Sequence, residues 1–276
     1  MAYEHNPEKD PNLTGPYRAM EYNAAGEPAL RVIANSNGWG IQVSNGDVEG
    51  VSYIEKFGRQ SDITNGTTAT LWDGDNLYEY LSAPSTVNVS STDLDDIVGG
   101  PGANTVEIQG LDADYNVVNE EVSLGGTSTT EFLRVFRVRV ATAGSHGTNW
   151  GDIEIVNNGI TVAKIDGGPN NGPGVGQTFM CVYTVPAGKT AYLTQWAVSS
   201  GKQNADTLAT IVVRPFGGAW NTRDIVEIQA NNYIKDYKVP LKFEEKTDIE
   251  VRAYSDNGSS AASTFNLILI DNEDVV

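Results

Sequence analysis

Residues Gln177–Ser200 read QTFMCVYTVPAGKTAYLTQWAVSS, and this stretch decides the fold class. Phe179, Cys181, Tyr183 and Val185 occupy alternate positions, as do Tyr192, Thr194, Trp196 and Val198, the period-two pattern of strands with one face in a core. Between the two runs Pro186 presets φ for a turn and Gly188 admits positive φ, and neither residue suits the interior of a central strand. The expectation is a β-hairpin. Cys181 lies within the apolar run, so a buried, inert thiol is expected in preference to a nucleophile. As the one cysteine of the chain it has no internal disulfide partner.

The same pattern extends outward from this hairpin. Asn-Gly occurs at Asn37, Asn45, Asn65, Asn158, Asn171 and Asn257, and Asp-Gly at Asp73 and Asp166, the dipeptides that type I′ hairpin turns favour. Between them lie alternating runs at Thr105–Gln109, Val118–Leu124 and Ile249–Ala253. In Phe132–Val140, FLRVFRVRV, the apolar parity slips between Val135 and Phe136, which predicts a β-bulge there. Short strands, frequent turn signals and no sustained helical period predict an all-β protein, a β-sandwich followed by a jelly-roll-like β-sandwich. The richest glycine and proline stretch, Asp166–Gly176, predicts the boundary between them.

Ahead of these units, residues 1–47 are polar and broken by Pro7, Pro11, Pro16 and Pro28. Only Leu30–Ile33 and Trp39–Val43 suggest short strands there, and the segment reads as an extended N-terminal arm that cannot bury a core alone. The expected organisation is an arm over 1–47, a β-sandwich over 48–168 and a jelly-roll-like domain over 169–276.

Thirty-six acidic against eighteen basic residues among 276 give a formal charge of −18, which repels phosphate backbones and argues against nucleic-acid binding. No apolar run approaches the ~20 residues needed to span a bilayer. The start, MAYEHNPEKDP, has neither a basic nor an apolar region of a signal peptide. Synthesis in the cytoplasm without export, and no membrane partner, are the expectations.

No catalytic, cofactor-binding or metal-ligating set emerges, and the chain is not expected to be an enzyme. A Ser-His-Asp triad would need His5 or His146, the two histidines present. His5 falls in the arm, and His146 lies among small residues that read as a wide turn. Neither has a second His or Cys at zinc-ligand spacing. Asp112-Ala-Asp114-Tyr-Asn116 imitates the start of a calcium loop, but Val117 and Ser123 stand where that loop needs Gly and Glu. A hairpin tip is the expectation. Trp39, Trp72, Trp150 and Trp220 neighbour glycines and polar residues, compatible with sugar-stacking platforms, although capping a sandwich end or an interface is the commoner use. Arg134, Arg137 and Arg139 concentrate positive charge on one strand, and carboxylate pairing is expected for them.

Four segments in order, Glu55–Ile63 (EKFGRQSDI), Gly147–Ile155 (GTNWGDIEI), Tyr183–Leu193 (YTVPAGKTAYL) and Val239–Ile249 (VPLKFEEKTDI), resemble a group of β-rich virion proteins of tailed bacteriophages. The likeness covers roughly Tyr53–Asp271 and excludes the arm. It implies a structural component of a particle: a capsid decoration or cement protein on the outer head, as a homo-oligomer, a trimer, bound to the major capsid protein or other virion proteins. The alternative it implies is a receptor-binding or fibre-type module that contacts glycans. No catalytic motif is carried by the resemblance.

Overall fold

In the computed structural model, residues 20–22, 28–30, 36–169 and 172–274 are described, and the chain divides into two units, Met1–Glu49 and Gly50–Val276. In the first unit β1 (Met20–Tyr22) pairs antiparallel with β2 (Pro28–Leu30). The expected strand at Trp39–Val43 is instead part of a helix, α1 (Ser36–Asn45). Asn45-Gly46, whose pattern predicted a hairpin turn, is its C-terminal cap: Gly46 has φ 75°, its N–H bonds the Val43 carbonyl at 3.1 Å and the Asp47 N–H bonds that of Gln42 at 2.8 Å. That is the Schellman arrangement, which uses the same Asn-Gly chemistry as a type I′ turn. His5, Asn171 and the rest of the expected Leu30–Ile33 strand fall outside the described residues.

The second unit is all β. Its strands are β3 (Val51–Ile63), β4 (Thr67–Thr70), β5 (Asn88–Ser91), β6 (Ala103–Leu111), β7 (Val117–Ser123), β8 (Arg134–Ala143), β9 (Ile153–Asn157), β10 (Ile160–Ile165), β11 (Val182–Thr184), β12 (Lys189–Ser200), β13 (Thr207–Arg214), β14 (Asn221–Ile228), β15 (Asn232–Phe243), β16 (Asp248–Ser255) and β17 (Ser259–Asp271). One sheet has the order β15-β12-β17-β3; the facing sheet has β11-β16-β13-β14, with β4 also paired to β16. In chain order, β3, β4 and β12–β17 cross between the two sheets at every step except the β13–β14 hairpin, as the eight strands of a jelly roll do. β5–β10 form an insertion between the second and third of these strands, with two three-stranded sheets, β7-β6-β8 and β10-β9-β5.

Two expectations change here. Val51–Thr70 is part of the C-terminal sandwich and not of a separate 48–168 sandwich, because β3 pairs along β17 from Ile270↔Val51 to Ser259↔Ile63 and β4 pairs with β16. Nor do the two runs of Gln177–Ser200 form a hairpin. Val182–Thr184 pairs with β16, while Lys189–Ser200 pairs with β15 and β17 in the other sheet. The turn at Val185–Gly188 crosses between layers, so both runs still face one core, but the expected parity holds only in part. Phe179 stays outside that core, and a bulge between Leu193 and Gln195 shifts the second run, so that Ala191 and Leu193 are buried in place of Tyr192 and Thr194, ahead of Trp196 and Val198. That core contains Cys181, Tyr183, Val185, Leu193 and Trp196, packed with Ile211, Val251, Phe265 and Leu267.

A second core fills the insertion with Val106, Ile108, Phe132, Val135, Val138, Ile153 and Ile155. The predicted bulge links the two cores. Along β6, Gln109 faces Arg137 and Gly110 faces Val135, which leaves Phe136 as the extra residue. Its ring turns into the sandwich core, 5.1 Å from Tyr183, while Val135 and Val138 stay in the core of the insertion. Gly110 is required on the facing strand, since a Cβ there would lie 2.1 Å from the Arg134 carbonyl oxygen.

Candidate functional site

Strand β16 alternates Asp248-Ile249-Glu250-Val251-Arg252-Ala253. Ile249, Val251 and Ala253 enter the sandwich core, so the pleat turns Asp248, Glu250 and Arg252 to the opposite face. Such alternation ordinarily marks a solvated polar face, but Asp248 and Glu250 are buried. Their partners come from β4, β8, β11, β13 and β16 itself.

Arg134 donates to Asp248 from Nε at 2.9 Å and Nη2 at 3.3 Å, and its Nη1 reaches the Leu133 carbonyl at 2.9 Å. Arg214 reaches the same carboxylate from Nε at 3.0 Å and Nη2 at 2.6 Å, and Thr184 Oγ1 adds a bond of 2.6 Å. Glu250 accepts from Thr70 Oγ1 at 2.9 Å and from Arg252 at 2.8 and 3.2 Å. Aromatic rings interleave with these cations. Arg134 and Arg214 stand 4.8 and 4.7 Å from the Tyr80 ring centre, and Arg214 and Arg252 stand 4.9 and 4.4 Å from that of Trp220. Cation–π attraction strengthens where water is excluded. The Tyr80 hydroxyl is buried without a hydrogen-bond partner, and burial, with Glu250 and Asp248 nearby, drives its pKa well above the usual phenol value.

The arrangement fastens the insertion to the sandwich. Each carboxylate is filled with donors, and three guanidiniums meet two carboxylates, so the cluster holds its charges inward. Lys56 is a second buried cation: its Nζ donates to the Phe136 carbonyl and lies 5.8 Å from the Phe136 ring centre. Burial first, then Arg137, lowers its pKa to about 7.

The residues singled out by sequence fall in several places. Arg134 pairs with Asp248 and Arg139 with Glu107 across β6 and β8 at 2.6 Å, as expected, but Arg137 bonds the Glu55 carbonyl at 2.6 Å instead of a carboxylate. Asp112–Asn116 is a hairpin tip, in which Asp112 Oδ1 accepts from the N–H groups of Asp114 and Asn116, both at 2.9 Å. Cys181 is fully buried, and burial pushes its thiol pKa up to about 12. His146 stacks on Trp150 with ring centres 3.9 Å apart, its Nδ1 4.0 Å from Asp95 Oδ2. Trp72 is buried, and Trp150 and Trp220 already carry stacked side chains that a sugar would have to displace. A cleft of about 210 Å³ that sequence reasoning missed gathers Asp75, Glu79 and Glu154 beside Lys164, whose ammonium is bound by Asp152 at 2.9 Å. Among the described residues no three His, Cys, Asp or Glu side chains gather as metal ligands, and no helix is long and apolar enough to cross a membrane.

By fold, the Gly50–Val276 unit is a jelly-roll β-sandwich with an inserted β unit. No protein-family model matches the chain, and no curated protein matches it. Among solved structures it is similar to that of infectious bursal disease virus, Gt strain, at 9% identity over 82% of this chain and 74% of that one, with a TM-score of 0.21. T=1 particles derived from infectious bursal virus match at 8% identity over 82% and 71%, TM-score 0.22. The VP2 subviral particle of infectious bursal disease virus matches at 8% over 82% and 74%, TM-score 0.21.

Proposed function

We propose that this protein is a structural component of a virus particle, a non-enzymatic capsid decoration or cement protein on the outer head of a tailed bacteriophage, acting as a homo-oligomer on the major capsid protein. The observation that carries the reading is the jelly-roll topology built by β3, β4 and β12–β17, one of whose recurrent uses is in viral capsids. Lectins and cupins share that architecture, so fold alone does not choose among them. Two further facts support the choice. The four segments that resemble virion proteins of tailed phages lie in order along this unit, and two of them meet at one end of the sandwich, where Val185 N–H bonds the Thr247 carbonyl at 3.0 Å and Gly188 N–H bonds Glu245 Oε2 at 2.6 Å. The buried charges Arg134, Asp248 and Glu250 brace the fold, a rigidity that suits a part of a particle.

The test is gold-labelled antibody on particles purified from the source lysate, followed by heating of particles made with and without the protein. Label over the whole head and earlier heat disruption of the depleted particles are expected. Label confined to one vertex or the tail would move the receptor-binding reading ahead, and unlabelled particles would end the virion reading.

A further inference from the structure

Asn65-Gly66, Asn158-Gly159 and Asn257-Gly258 are the Asn-Gly pairs of the Gly50–Val276 unit that are described at both residues. All share one intrinsic reactivity. The main-chain nitrogen of the glycine, with no side chain beside it, can attack the asparagine Cγ. A five-membered succinimide forms and ammonia leaves; water then opens the ring to aspartate, or to isoaspartate, in which the main chain runs through the side-chain carboxyl carbon. The reaction consumes only water. What differs among the pairs is how firmly the reacting groups are held, since nitrogen and Cγ meet only after the backbone has swung out of its folded conformation.

At Asn65 the attacking nitrogen is engaged, because Gly66 N–H bonds the Ser255 carbonyl at 2.8 Å. At Asn257 the amide is engaged: its Nδ2 donates to the Asn204 carbonyl at 2.8 Å, and Lys202 Nζ holds the Asn257 carbonyl. The surroundings of Gly258 are also filled, with the Ile63 carbonyl oxygen 3.4 Å from where a Cβ would stand. Asn158 and Gly159 differ on each count. They form the exposed two-residue turn between β9 and β10, with φ 47° and 85°. Among the described residues neither the Asn158 side chain nor the Gly159 N–H has a hydrogen-bond partner, and a Cβ on Gly159 would meet nothing within 4 Å. This tip can open without breaking any contact beyond its own turn.

We propose that Asn158 is a site of spontaneous deamidation in the folded protein, modified ahead of Asn65 and Asn257. The change accumulates with the age of the chain and alters the surface where it forms. Gly159 lines the cleft of about 210 Å³ that gathers Asp75, Glu79 and Glu154, so each event adds another carboxylate to an acidic rim. The isoaspartate form also inserts its Cβ into the main chain of a two-residue turn, whose length sets the register of β9 against β10.

The experiment incubates the full folded chain at mildly alkaline pH, where the attacking nitrogen gives up its proton more readily, and follows tryptic peptides by mass over time. Cleavage after Arg139 and Lys164 places Asn158 in the peptide Val140–Lys164. The other asparagines of that peptide, Asn149 and Asn157, precede Trp150 and Asn158 instead of glycine, and fragment spectra separate them. A parallel sample in urea gives the rates with the structure removed. In the folded chain the mass gain that turns an amide into an acid is expected at Asn158 about tenfold faster than at Asn65 or Asn257, equivalent to an opening easier by ~1.4 kcal/mol. In urea the rates at these positions should converge. Asn158→Gln should remove the change from Val140–Lys164 and leave Asn65 and Asn257 reacting as in the parent. Folded-chain rates that are equal at the three positions, reaction first at Asn65 or Asn257, or an Asn158 that reacts in urea and not in the folded chain would each overturn the proposal.

Discussion

Replacing Asp248 by Asn keeps the shape of the side chain and removes the charge that two arginines share. Arg134 and Arg214 place four nitrogen atoms between 2.6 and 3.3 Å from its oxygens, so the variant leaves two guanidiniums facing a neutral amide inside the protein. Breaking a buried pair by removing one partner costs about 3–5 kcal/mol. For a domain of this size each kcal/mol shifts Tm by ~2–4 °C, so Asp248→Asn is expected to lower Tm by about 6–20 °C. Glu107→Gln is the control, because Arg139 of that pair is largely exposed and surface pairs contribute ~0–1 kcal/mol. Calorimetry and urea titration of parent, Asp248→Asn, Arg134→Met and the double variant complete the measurement. The double variant should lose less than the sum of the single losses, since removing both partners leaves no unpaired charge from that pair. A loss at Asp248 no larger than at Glu107, or strictly additive losses, would refute the view that the cluster braces the fold.

Lys56 gives a pH signature. Its pKa falls from an ordinary 10.5 to about 7 in the folded state, so between these values the unfolded chain holds a proton that the folded chain has released. Its contribution to stability therefore rises as pH climbs through that window and is flat below it. Lys56→Met should abolish that rise and stabilise the protein at neutral pH by a few kcal/mol, at most ~1.4 kcal/mol per pKa unit; urea midpoints from pH 6 to 10 check it, and equal slopes in parent and variant would sink the idea. Gly58→Ala should cost about 1–3 kcal/mol by overpacking, because a Cβ there would lie 2.3 Å from the Leu71 carbonyl oxygen and 2.4 Å from the Cys181 nitrogen; an unchanged urea midpoint would contradict the close approach of β3 to these backbones. Cys181 should resist a thiol reagent in the native protein and react fully in denaturant, and rapid native labelling would show that the core around it opens.

Much of the fold was legible because its signals are local. The alternation in Thr105–Gln109 and Ile249–Ala253, the parity slip at Val135–Phe136 and the hairpin tip at Asp112–Asn116 each depend on neighbours a few residues apart, and each is found in the structure. Sheet membership was not legible, because a turn such as Val185–Gly188 looks the same whether the chain returns beside itself or crosses to the facing layer. Asn-Gly was ambiguous for a similar reason: positive φ serves a type I′ turn at Asn158-Gly159 and a helix cap at Gly46 equally well. The arginine cluster was hidden most completely. Arg134 and Asp248 are separated by 114 positions, and nothing in the alternation of β16 says whether its polar face meets water or another sheet.

That hidden face explains why the insertion and the sandwich should melt together. Phe136 reaches from β8 into the sandwich core, Lys56 on β3 donates back to the Phe136 carbonyl, and Arg134 at the first position of β8 binds Asp248 on β16. Separating the two β units would break the Arg134–Asp248 pair and pull an aromatic ring out of its core. Each of these losses costs several kcal/mol, against a total stability of only about 5–15 kcal/mol for a typical domain. The insertion therefore has no route to unfold by itself at less cost than unfolding the jelly roll, and native-state hydrogen exchange should give strands β6 and β8 the same opening free energy as β12 and β17. Protection of β6 and β8 lower by more than about 2 kcal/mol would mean that the cluster and the bulge join the units only loosely.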